Sequence, residues 1–223
     1  MLLTVDIGNT TVAVAGFSGE RPAFLRRLPA GREEGPRDWA AALRTLLAGE
    51  GPFRGAALSS VVPALTGPVA DALACVTGGR VLTVGRVTPS GLPLGDFEGA
   101  ALGMDRVVDC VAVFRGGMIL AGLSLSLDAL SARAAQLPPV TLSPPEGLVG
   151  TDTERCMRYG AIYGAAGAVE GIAARLEEQF GPLTVVLTGG NGAYVRPLLR
   201  IPVVWEPMLT HLGLRELWLR QEP

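Results

Sequence analysis

The chain has 223 residues, a formal net charge of −2, and 48% hydrophobic against 18% charged residues. That much apolar material supports a sizeable core and excludes a disordered chain, and the near-neutral charge argues against nucleic acid or an anionic membrane as the main partner. Three dispersed cysteines (Cys75, Cys110 and Cys156) without a CxxC pair, no membrane-length apolar run and no basic leader give a cytoplasmic protein as the expectation.

Lysine is absent, so every basic side chain apart from His211 is arginine. A Walker-type GK[ST] loop is therefore excluded, and any phosphate must be held by backbone N–H groups, a metal ion or arginine. At the start of the chain, apolar residues lead into Asp6, followed by Ile7, Gly8, Asn9, Thr10, Thr11, Val12 and Ala13. β-Branched residues suit a pleat while Gly and Asn suit a bend, which predicts strand, tight turn, strand. Such a turn can aim N–H groups and hydroxyls at a phosphate, with no side chain at Gly8 in the way. Asp6 would repel a phosphate directly and is better suited to a divalent cation that touches it. An ordinary hairpin is the competing reading of these ten residues.

A third strand is predicted over 21–28 and an amphipathic helix over 37–48, where Trp39, Leu43, Leu46 and Leu47 recur at helical spacing. A buried strand over 56–62, a helix over 65–76 and a strand over 80–84 follow, implying a mixed sheet whose later strands are parallel. Gly103-Met104-Asp105-Arg106 opens an apolar helix, where Asp105 by itself reads as a helix cap. Helical patterning returns over 128–136 and from the loop at 147–153 through Cys156 to Phe180. A strand over 183–187 ends in Thr188-Gly189-Gly190, which suits either a nucleotide-contact loop or a plain strand-to-helix turn. A last strand over 203–205 and a helix over 209–219 close the series, with His211 lacking any evident metal or triad partner.

The ordered set Asp6-Ile7-Gly8-Asn9-Thr10, Ser60-Val61-Val62-Pro63, Gly103-Met104-Asp105-Arg106, Gly116-Gly117-Met118-Ile119, Gly150-Thr151-Asp152-Thr153 and Thr188-Gly189-Gly190 resembles the type III pantothenate kinases. The likeness spans nearly the whole chain. It implies an α/β protein of two ribonuclease H-like halves of the actin-like ATPase superfamily, with mixed sheets flanked by helices and a cleft between the halves, divided here as 1–104 and 105–223. It also implies transfer of the ATP γ-phosphoryl group to pantothenate, with Mg²⁺ and a monovalent cation, K⁺ or NH₄⁺, in a homodimer. By the same resemblance, Asp6 to Ala13 bind the ATP phosphates and Asp6 organises the metal. Gly103, Met104, Asp105 and Arg106 bind pantothenate, with Asp105 as proton acceptor, and Thr153 contacts it. Gly189 and Gly190 approach the nucleotide.

One family element is missing. A second phosphate hairpin, Asp-x-Gly-Thr-Ala, is expected between Cys110 and Gly117, yet Val111-Ala112-Val113-Phe114-Arg115 runs straight into Gly116. About thirty residues, two strands and their turn, are absent. Loss of two interior strands is hard for a folded half to tolerate. A segment that the molecule has and this sequence omits is therefore preferred to a repaired deletion. A catalytically degenerate relative, acting as a binding or transcription-accessory protein, is the rival expectation.

Overall fold

Strands β1 (Leu2–Ile7) and β2 (Thr11–Ser18) form the predicted hairpin, and β3 (Arg21–Pro29) extends it. The computed structural model describes residues 1–31, 38–85, 88, 118, 120–134 and 136–221. Helix α1 (Trp39–Leu46) follows, its first turn capped by Asp38, whose carboxylate accepts the Ala41 N–H at 2.9 Å. Strand β4 (Gly55–Ser60) runs into α2 (Pro63–Thr77). Pro63 starts that helix where a missing N–H costs nothing, and Gly78, at φ 63°, ends it in the left-handed region. Strand β5 (Arg80–Thr83) completes a sheet of order β3-β2-β1-β4-β5. The first three strands are antiparallel and β1, β4 and β5 are parallel, the mixed sheet that the element order predicts.

Alternation along β1 divides its side chains between two cores. Leu3, Val5 and Ile7 pack with Leu43 of α1 and with Val69 and Leu73 of α2. Leu2 packs on the other face with Ala15, Phe17 and Ala57, covered by Leu214, Leu217 and Trp218 of the closing helix α6 (Leu209–Arg220). Residues 1–116 and 208–223 therefore form one compact unit and 117–207 a second. Helix α6 lies on the N-terminal sheet, where its apolar stripe fills the face around Leu2.

In the second unit α3 (Leu123–Arg133) packs on α4 (Thr153–Phe180), a continuous 28-residue helix capped by Asp152, whose carboxylate accepts the Arg155 N–H at 2.8 Å. Buried Leu123, Ile162, Ala166 and Val195 form its core. Strand β6 (Val185–Leu187) leads through the short helix α5 (Gly192–Val195) and a 3₁₀ turn to β7 (Val203–Trp205). The two strands pair in parallel, and among the described residues β6 has no other strand partner. All three β6 side chains are only half-buried. In the first unit, by contrast, β4 lies between β1 and β5.

Candidate phosphate and metal site

Buried apolar neighbours hold β1 rigidly up to Asp6, which is half-buried at the carboxyl end of the strand. The turn that follows is tied down on three sides. The Gly8 N–H donates to Thr11 O at 2.9 Å, the Ala30 N–H to Thr10 O at 2.9 Å, and the Val61 N–H to Ile7 O at 3.0 Å. A Cβ at Gly8 would lie 3.3 Å from Thr11 O, tight for any other residue. Asn9 and Thr10 are exposed, and their backbone N–H groups donate to no acceptor among the described residues. The Gly8 donor closes the turn, so the donors without an acceptor among the described residues belong to Asn9 and Thr10.

Asp6 is paired in register with Ala13 on one side and Ser59 on the other. The fully buried Ser59 hydroxyl donates to Asp6 Oδ1 at 2.6 Å, in the short range of charge-assisted O–H···O⁻ bonds. Ala13 pairs in turn with the exposed Arg27 of β3. A row Arg27–Ala13–Asp6–Ser59 thus crosses the sheet beside the turn, joining a cation, a carboxylate and a hydroxyl. One strand position earlier on the same face of β1, Thr4 Oγ1 lies 2.9 Å from Nδ1 of buried His211. Burial first, and then the charge of Arg27, hold the His211 pKa down to about 4, against an opposing hydrogen-bond contribution from Thr4. A neutral imidazole tying α6 to β1 has a structural part.

A carboxylate beside N–H donors that meet no acceptor among the described residues suits Mg²⁺, which commonly uses one or two carboxylates with phosphate oxygens and water. Among the described residues no three His, Cys, Asp or Glu side chains converge on a metal position. In the second unit, Thr153 begins α4 in an exposed position. Gly189 (φ 88°) and Gly190 follow β6, with open space where a Cβ would stand. Gly103, Met104, Asp105 and Arg106, and the junction at 110–117, lie outside the described residues. Ser59, Thr4 and Arg27 escape sequence reading because their relation to Asp6 and His211 depends on strand register. The alternation of β4 could have flagged only Ser59, as a polar residue inside a buried strand.

The sequence profile described as Type III pantothenate kinase matches residues 2–115 and then 112–175. The match breaks where the second hairpin is missing. A type III pantothenate kinase from Moorella thermoacetica is 32% identical, with 99% of each chain covered. Its alignment spans 252 positions against 223 residues here, so at least 29 positions of the alignment have no residue in this chain. One from Roseiflexus castenholzii is 35% identical over 96% of this chain and 97% of its own. Among solved structures, a conserved Campylobacter jejuni protein assigned to the Baf family of transcriptional activators has the same fold, with TM-score 0.54, 15% identity, and 98% and 97% coverage of the two chains. By profile and by near-full-length identity, this chain belongs to the type III pantothenate kinase family.

Proposed function

We propose that the chain transfers the γ-phosphoryl group of Mg·ATP to the primary hydroxyl of pantothenate, the opening step of coenzyme A synthesis, in the cytoplasm. The observation that carries this reading is Asp6, held by Ser59 beside a turn whose Asn9 and Thr10 N–H groups donate to no acceptor among the described residues, in a chain of this family. Phosphoryl transfer asks for charge neutralisation and in-line placement more than covalent help. When bound, Mg²⁺ would neutralise phosphate charge. Asp6 would orient that ion, and the Asn9 and Thr10 N–H groups would hold phosphate oxygens. Asp105 would accept the proton of the attacking hydroxyl. Gly103 and Met104 would line the pantothenate pocket, Arg106 would pair with its carboxylate, and Thr153 would contact it. Gly189 and Gly190 would leave room for the nucleotide. K⁺ or NH₄⁺ is the proposed activating ion, although the family's aspartate for it belongs to the absent segment.

The proposed assembly is a homodimer, supported by an exposed apolar groove of about 520 Å³ between α3 and α4, lined by Leu120, Leu130, Met157, Gly160 and Gly164. Pantothenate-dependent ADP release by the purified chain tests the reading. Asp105→Asn should lower that rate by about 10²-fold or more, and undiminished turnover would remove Asp105 from the mechanism. The missing hairpin favours one rival, a non-catalytic relative that binds ligand without turnover. Calorimetric binding of pantothenate with no ADP release would select it.

A further inference from the structure

We propose that Ser59 is a positioning residue for the Asp6 carboxylate and sets how well the site holds its divalent cation. This rests on the reading of Asp6 as the metal-organising acid. Ser59 lies in β4, where Gly55, Ala56, Ala57 and Leu58 are all buried. A hydroxyl buried there without a partner would be destabilising, and an alanine would fill the place with no such demand. The partner it has is Asp6 Oδ1 at 2.6 Å, its direct register neighbour. On the opposite strand, the register neighbour of Asp6 is Ala13, which offers no side-chain donor. Of the two strand neighbours, only Ser59 can fix the carboxylate through its side chain.

The need for such a tether follows from the torsion of the carboxylate. Its terminal χ2 well is broad and roughly two-fold, so strand geometry alone does not choose which oxygen faces the turn. A short hydrogen bond from a fully buried hydroxyl does, since Ser59 is itself locked inside a central parallel strand. Mg²⁺ demands near-ideal octahedral geometry, so loss of orientation should appear in metal affinity before pantothenate affinity. A merely space-filling serine would not produce that split.

The test compares the full chain with Ser59→Ala, Asp6→Ala and the double variant. Mg²⁺ is titrated in the ADP-release assay, and binding of Mn²⁺ with ADP is followed by electron paramagnetic resonance. Ser59→Ala should raise half-saturating Mg²⁺ and weaken Mn²⁺ binding, each by about tenfold, with pantothenate KM within about twofold. Adding Ser59→Ala to Asp6→Ala should cost nothing further, and Ser59→Thr, which keeps the hydroxyl, should restore much of the affinity. Unchanged metal dependence and Mn²⁺ binding in Ser59→Ala would overturn the proposal. So would equal losses for metal and pantothenate, or a lower unfolding temperature as the only effect. An inactive wild type that binds Mn²⁺ with ADP in a Ser59-dependent way would refute the kinase reading and leave this proposal standing. A wild type that binds no Mn²⁺ with ADP would overturn both.

Discussion

The buried His211 imidazole makes the folded state refuse a proton that the unfolded chain accepts. Unfolded, the group titrates near 6.5, and in the native chain near 4. Above pH 6.5 both states are neutral at this site, and stability is at its plateau. Between 6.5 and 4 the unfolded state binds more protons, so stability falls as pH falls, by about 3 kcal/mol in all, and levels off below 4. Urea unfolding from pH 7 to 4 should show this slope, and His211→Asn should flatten that part of it. At this scale the sequence was readable where partners are adjacent. Asp6 and its turn stand within eight residues of each other. Thr4 and His211 are 207 residues apart and Asp6 and Ser59 are 53 apart, so chain proximity could reveal neither pair.

Helix α6 covers one face of the first unit's sheet. Trp218 is 3% exposed, and its ring carries the Arg80 guanidinium 5.2 Å from the ring centroid. It also lies where a Cβ at Gly55 would have to go, so only glycine permits the close approach of strand and ring. Trp218→Ala should destabilise the protein by about 3–5 kcal/mol, read from the denaturation midpoint, and Gly55→Ala should also lower stability. Periodicity over 209–219 gave the helix correctly, because its spacing is local information. It could not say which sheet the apolar stripe covers, since either half offers an apolar face. Helices α1 and α2 were likewise legible to within two residues, set by Asp38, Pro63 and Gly78.

At the scale of the molecule, the break in family similarity at 112–115 comes just before the start of the second unit in the chain. Among the described residues the exposed large hydrophobics, from Met118 and Leu120 through Leu148 and Phe180 to Val204, all lie in the 117–207 unit. Inserting a second phosphate hairpin of the Asp-x-Gly-Thr-Ala type between Arg115 and Gly116 should raise kcat by about 10²-fold or more, as each regained transition-state donor is commonly worth about 10²–10³. ADP release before and after insertion measures it, and no gain would show that the segment is not what limits turnover. The placement of α6 has a further consequence, for synthesis in the cell. The ribosome makes 1–85 early, but the helix that covers Leu2, Phe17 and Ala57 is translated after every other element described. The nascent first unit must therefore wait with one greasy flank bare, the stage at which a chaperone would find it.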